Sequence, residues 1–268
     1  MAERAYVLGS GIDRLTLQQT VDEMERWITE RECHEGARYV VATGFHGIWE
    51  GHRDAGFRRV INGADISCAD GIAPVVVSRL RGEPIPERVP GPDVLRAFLA
   101  TADKRGYRSY FFGDTQETLD ALEDNLKHQY PGHVVAGTCS PPFRPLAAEE
   151  TQAMIEAINA SGADVLWVGL GCPKQERWIA EHRERLRVPV AMGVGAAFGF
   201  ASGRVSRAPA WVRRLGLEWV WRLAVEPRKL WRRTLIQGPQ FLFHLALELT
   251  GLRRYPREGG AEGKGARR

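Results

Sequence analysis

The stretch Asp164-Val-Leu-Trp-Val-Gly-Leu-Gly-Cys-Pro-Lys-Gln-Glu-Arg-Trp178 decides how the rest of the chain is read. It opens on a short apolar run, 165–168, rich in β-branched and aromatic residues, the signature of a buried strand. A turn containing Gly169 and Gly171 follows. Pro173 then stands at the expected first position of a helix, with Lys174, Gln175 and Glu176 in its opening turn. A strand, a glycine turn and a helix start leave backbone N–H groups unpaired at one end of a sheet, which suits a diphosphate or another anion. The pattern implies a nucleotide-type ligand and aims the Gln175 side chain at it. Glycine turns that bind nothing are common in α/β proteins, so the rest of the chain has to support that reading.

Working outward, similar apolar runs recur at 5–8, 39–42, 64–67, 109–112, 133–136 and 188–192. Helical spacing of apolar residues marks 16–28, with Thr16 as N-cap, and also 115–129, 148–159 and 173–186. Strands alternating with helices imply βαβ units: an α/β fold with a mostly parallel sheet and helices on both faces. The organisation changes near residue 204. Beyond it Pro209, Pro227 and Pro239 are expected to divide the chain into short helices near 210–225, 228–236 and 239–251. We therefore read 1–203 as the α/β core and 204–257 as a helical appendage. Residues 258–268, built of Gly, Ala and charge, read as a disordered tail.

Charge sharpens that division. Residues 1–203 carry 22 Lys/Arg against 28 Asp/Glu, a net of −6, whereas 204–257 carry 12 against 3, a net of +9. Trp211, Trp219, Trp221 and Trp231, four of the eight tryptophans, fall in the basic segment. A cationic, tryptophan-rich ending on an acidic body favours an anionic surface. The apolar run 240–250 is too short to span a bilayer but suited to lying on one. The four cysteines form no C-x-x-C pair, so neither a disulfide framework nor a zinc site is indicated and a reducing compartment fits. The N-terminus lacks the charged and apolar regions of a signal peptide.

The candidate chemistry sits at the ends of these strands. Asp70, just before Gly71, reads either as a turn residue or as a general base within reach of a hydroxyl. Arg88 lies in a loop stiffened by Pro84, Pro86 and Pro90, fit to clamp a phosphate or to form a structural ion pair. Thr43 ends another strand and either orients a substrate or caps a helix; His46, in the same loop, reads as structural. Gly113 and Gly195 belong to further glycine turns that a nucleotide could approach closely. There is no Walker A sequence, H-E-x-x-H, G-x-S-x-G or Asp-x-Asp pair, so chemistry without a metal or cofactor is expected. Arg222, Arg228, Lys229, Arg232 and Arg233 interleave with tryptophans, as in an interfacial helix, although a solvated charged face has the same composition.

Seven blocks, in order, resemble the WecG/TagA/CpsF glycosyltransferases. They are residues 64–71, 87–93, 110–113, 140–145, 168–178, 193–198, and 216–219 with 226–228. The resemblance runs from about Tyr39 to about Arg254 and implies a Rossmann-like core with a C-terminal appendage that docks on the membrane and completes the active site. It also implies transfer of a sugar (N-acetylmannosamine, glucose or a related hexose) from a UDP-sugar donor. The acceptor would be a polyprenyl-diphosphate-linked sugar at the inner face of the cytoplasmic membrane, in cell-surface polysaccharide synthesis such as teichoic acid or exopolysaccharide assembly. By position, Asp70 matches the family's general base and Thr43 its polar neighbour. Arg88 and Gln175 match the active-site polar pair, and Arg222 and Arg232 the arginines that reach the diphosphate. Gly113, Gly169, Gly171, Lys174, Gly195 and Arg228 complete the expected substrate contacts.

Departures from the family pattern are Phe45 where many members have Asn, Asp114 for a second Gly, Gly199 for an Asp, and Lys229 for an Arg. They bear on sugar specificity. Two other readings of the residues remain: a nucleotide- or nucleic-acid-binding module using the basic segment, and a soluble NAD-dependent or UDP-sugar-modifying enzyme. The glycosyltransferase reading involves no nucleic acid, and the sequence leaves homo-oligomerisation open.

Overall fold

Consecutive side chains of a strand leave opposite faces of a sheet, and here both faces are apolar. In the computed structural model, which describes residues 3–31 and 35–257, Val165 and Trp167 enter one core cluster while Leu166 and Val168 enter a second. Met192 and Ala191 divide in the same way, as do Phe111 and Phe112. A sheet buried on both sides needs helices on both sides.

The chain opens with a hairpin, β1 (Arg4–Val7) and β2 (Ser10–Asp13), then α1 (Leu17–Thr29), β3 (Arg38–Thr43), α2 (Phe45–Arg53), α3 (Ala55–Asn62) and β4 (Ile66–Ala69). It continues through α4 (Ile72–Leu80), α5 (Gly91–Arg105), β5 (Arg108–Gly113), α6 (Gln116–Gln129), β6 (Val134–Cys139), α7 (Ala148–Ala160) and β7 (Val165–Gly169). Next come α8 (Lys174–His182), β8 (Val190–Gly193), α9 (Ala197–Ala201), α10 (Ala210–Arg214) and α11 (Glu218–Val225). The described chain ends with α12 (Pro227–Trp231), a π-helical stretch Arg232–Gln237 and α13 (Gly238–Leu249). Six strands form one sheet in the order β4-β3-β8-β7-β5-β6, and every pairing in it is parallel. Helices α1, α5, α6 and α9 supply the cluster on one face, and α3, α7 and α8 the cluster on the other. The parallel α/β architecture expected from the strand–helix alternation is what the chain adopts.

Several local expectations are corrected. The run 5–8 is not a strand of the main sheet. It pairs antiparallel with β2 across a turn in which Leu8 and Gly9 both have positive φ, the geometry of a tight hairpin. Thr16 does cap α1, and its hydroxyl accepts from the Gln19 N–H at 3.1 Å. Pro173 is the N-cap of α8 rather than its first helical residue, and the helix stops at His182, short of 186. Pro239 does not break the C-terminal helix. It falls in the first turn of α13, and the π-helical stretch before it carries the chain past the missing N–H. The run expected as one helix at 210–225 is two, separated by Leu215–Leu217. Helices α2 to α5 lie outside the stretches expected to be helical, although α3 buries Phe57, Arg58, Ile61 and Asn62 along one face. The expected tail 258–268 and Cys33 lie outside the described residues, as does the side chain of Lys229.

The basic C-terminal stretch packs closely on the core. Phe241, Leu245 and Tyr255 are buried with Ile48, Trp49, Val75 and Ile85 in a third cluster. Arg207 makes a bidentate contact with Asp93, at 2.6 and 3.0 Å, and reaches Glu218 at 3.2 Å. Glu248 bonds the Leu8 N–H at 3.0 Å and pairs with Arg81 at 2.9 Å. No helix of the described residues is long and apolar enough to cross a membrane.

Candidate active site

Parallel strands deliver their carboxyl ends to one edge, so the residues that follow them become neighbours whatever their separation in sequence. Along this edge stand Asp70 after β4, Thr43 at the end of β3, Gly193 to Gly195 at β8, Gly169 to Gly171 at β7 and Gly113 at β5. The loop from β5 leads outward to β6 while that from β7 leads inward to β8, so the topological switch point falls between β5 and β7. Gly113 and Gly169 pair there so closely that a β-carbon on Gly113 would lie 2.6 Å from the Gly169 carbonyl carbon.

Asp70 is held at the end of β4 by its own N–H, which donates to the Thr43 carbonyl at 3.1 Å. The residue is half-buried and belongs to none of the core clusters. Burial among protein atoms pushes its pKa up to about 6, opposed by Arg233, Arg222 and Arg207, while Glu218 adds to the rise. Three arginines of the C-terminal stretch therefore act on this carboxylate electrostatically, Arg233 the most strongly. Arg233 is itself held below its ordinary pKa by burial and by Arg222. Arg232, the residue expected in this place, is exposed instead and lies over the Trp231 ring at 5.4 Å. Arg228 is also exposed, and Arg222 is half-buried, 3.5 Å from Glu226.

The Thr43 hydroxyl is buried and pairs with Ser67 Oγ at 3.1 Å; Gly44, not Thr43, occupies the N-cap of α2. Arg88 makes a backbone contact rather than an ion pair among the described residues. Its guanidinium donates to the Arg213 carbonyl, and the next residue, Val89, donates its N–H to the Ala69 carbonyl at 2.8 Å. Arg88 thus ties the proline loop beside Asp70 to α10.

Gln175 is placed differently from the expectation that it faces ligand. Its Oε1 accepts the N–H groups of both Gly171 and Gly195, each at 3.0 Å, and its Nε2 donates to Glu176 Oε1 at 2.8 Å. Two of the backbone donors expected to be free are therefore occupied, because a buried amide must itself be satisfied. Gln175 cross-links two glycine turns. Lys174 projects, exposed, from the first turn of α8.

Sequence reasoning missed two groups here. Glu176 is 2% exposed, its Oε2 has no hydrogen-bond partner, and burial raises its pKa to about 7, with Asp70 contributing. His46, read as structural, is held at about 4 by burial and by Arg233, and its buried Nδ1 has no hydrogen-bond partner among the described residues. Their signal, a Gln-Glu pair opening a helix and a His after a strand, is weak without the fold. Of the family departures, Phe45 packs edge-on against Phe241 of α13 at 5.0 Å. Asp114 accepts the Thr115 N–H at 2.8 Å ahead of α6, and Gly199 is buried against Val205. Two cavities lie elsewhere. One of about 340 Å³ involves Trp27, Arg38 and Arg187 at the amino end of the sheet, and one of about 590 Å³ lies between α2 and α13.

A parallel sheet with glycine turns and a half-buried carboxylate at one edge is the arrangement of α/β proteins that bind ligands beyond the carboxyl ends of their strands. The sequence profile of the glycosyl transferase WecG/TagA/CpsF family matches residues 5–255, and the chain belongs to that family. A relative in Bacillus spizizenii is 33% identical over 77% of this chain and 78% of its own length. One in Bacillus subtilis is 30% identical over 68% and 69%, and one in Staphylococcus aureus 25% identical over 90% and 91%. All three are named N-acetylglucosaminyldiphosphoundecaprenol N-acetyl-β-D-mannosaminyltransferase. Membership of this family disfavours the nucleic-acid-binding reading.

Proposed function

We propose that the chain is an inverting hexosyltransferase that moves N-acetylmannosamine or a related hexose from a UDP-sugar to a polyprenyl-diphosphate-linked N-acetylglucosamine. The observation that carries this is that Asp70, on the same sheet edge as three glycine turns, lies within the electrostatic influence of Arg233 and Arg222. Asp70 takes the proton of the acceptor hydroxyl as that oxygen attacks the anomeric carbon. The bond from that carbon to the diphosphate oxygen breaks on the opposite face, and UDP departs with the electron pair. Arg233 and Arg222 stabilise the charge gathering on the diphosphate, with Arg88 and Lys174 at the rim. The donor binds beyond the carboxyl ends of β5, β7 and β8, over the turns of Gly113, Gly171 and Gly195, the last two set by Gln175. Thr43, through Ser67, keeps the Asp70 strand end in register. This reading needs no cofactor.

The segment 204–257 acts as the membrane-docking part, with the protein peripheral on the inner face of the cytoplasmic membrane. Supporting this are the exposed Trp211, Leu215, Trp219, Leu235, Leu242 and Phe243 among its arginines. The test is incubation with a panel of UDP-sugars and a polyprenyl-diphosphate-N-acetylglucosamine acceptor, read by mass spectrometry. The expected result is an acceptor heavier by one hexose-type residue with stoichiometric UDP. Absence of any glycosylated acceptor across the panel overturns the reading.

A further inference from the structure

Helix α4 starts two residues after Asp70, with Gly71 as its N-cap. Its inner residues Val75 and Val77 are buried with Val7 and Ile85, so that face is already used. Its outer face is apolar as well. Ile72, Val76 and Leu80 are 40%, 45% and 68% exposed, and their i, i+4, i+8 spacing aligns them in one row. The row extends about 12 Å by helical rise and points away from the carboxylate. It is also continuous with the C-terminal stretch. Gly216 sits against Ile72, a β-carbon there meeting it at 3.2 Å, and the flanking Leu215 and Leu217 are exposed. Arg79 lies exposed beside the row.

An exposed apolar row that begins at a polar reaction centre fits a substrate with the same division. We propose that this face of α4 is the track for the polyisoprenyl chain of the acceptor. The inference rests on the transferase reading above, since only a lipid-linked acceptor carries such a chain. With the acceptor hydroxyl at Asp70 and its diphosphate under the arginines, the chain leaves across Ile72 and runs over Val76 and Leu80. Burial of apolar surface then contributes to acceptor affinity and not to donor affinity.

The test compares acceptor KM for a long-tailed and a short-tailed polyprenyl-diphosphate-N-acetylglucosamine, in detergent without a bilayer. It is run for the wild type and for the double variant Val76→Ser/Leu80→Ser. Both positions are exposed, and thermal melting checks that the fold is kept. The wild type should favour the long tail, and the variant should lose roughly five- to tenfold of that preference with donor KM unchanged. An equal tail preference in both proteins overturns the inference. So does a variant that loses only flotation with anionic vesicles, because the row would then serve the bilayer and not the chain. Failure of the wild type to glycosylate either acceptor would instead remove the transferase reading itself.

Discussion

Gly44 stands so close to Asp70 that a β-carbon built on it would lie 1.9 Å from the Asp70 carbonyl oxygen. The two residues leave neighbouring strands, and no side chain fits between their backbones. Gly44→Ala should therefore push the Asp70 turn outward, costing about 1–3 kcal/mol of stability as an overpacked site does. Thermal melting and turnover measured together check this: both should fall. A variant with wild-type melting and turnover would show that the two strand ends are not rigidly joined.

Asp70→Asn should lower kcat by about 10²- to 10⁴-fold, the usual contribution of a positioned base. UDP binding, followed by calorimetry, should survive. In the wild type the base works only when ionised, and burial has raised its pKa to about 6. The kcat/KM profile should consequently decline as pH falls through about 6, with Glu176 coupled to the same titration. An unchanged profile in the Asn variant would remove Asp70 from the reaction.

Arg233 favours the ionised form of Asp70, so Arg233→Ala should move that acid limb to higher pH. It should also lower kcat, on the order of 10²-fold, if the guanidinium meets the leaving diphosphate. Arg232→Ala, which removes an exposed cation stacked on Trp231, should leave the limb where it is. The paired pH profiles separate a directed charge from a general loss of positive field.

Glu176 titrates in the folded protein near 7, above its ordinary value of 4.5. The native state then holds a proton that the unfolded chain releases. Its stabilising effect is complete below pH 4.5 and is lost as pH rises through about 7. Glu176→Gln can still accept the Gln175 amide, and it removes this titration. The variant should melt a few degrees above the wild type at pH 8, and its stability should fall less as pH rises from about 6.5 to 8. Below that window Asp70, whose shift has the same sign, is opposed by His46, His52, His133 and His182, all held below their ordinary value.

Trp211 and Trp219 are 65% and 53% exposed in the basic stretch. Trp211→Ser/Trp219→Ser should reduce co-flotation with anionic vesicles, and added salt should weaken the wild type in the same assay. Binding that is indifferent to both changes would argue against docking through this surface.

Much of the molecule is legible in its linear order. Runs such as 165–168 and 109–112 are apolar at every position because their strands are covered on both faces, and that pattern survives without any knowledge of neighbours. Thr16 and Thr115 announce helix starts by a local hydrogen bond. Asp70, Thr43 and the glycine turns are recognisable for the same reason: parallel strands all present their carboxyl ends to one edge. Helix orientation and side-chain direction depend on more distant contacts. The π-helical turn at Arg232–Gln237 alters the rotation per residue, so spacing could not show that Arg233 faces Asp70 while Arg232 faces outward. Gln175 spans two turns twenty-four residues apart in sequence, and Glu176 owes its shifted titration to burial among groups from several elements. Local hydrogen bonding and burial pattern are properties of short segments, and the sequence determined those; the direction of each charge was decided only when distant segments packed together.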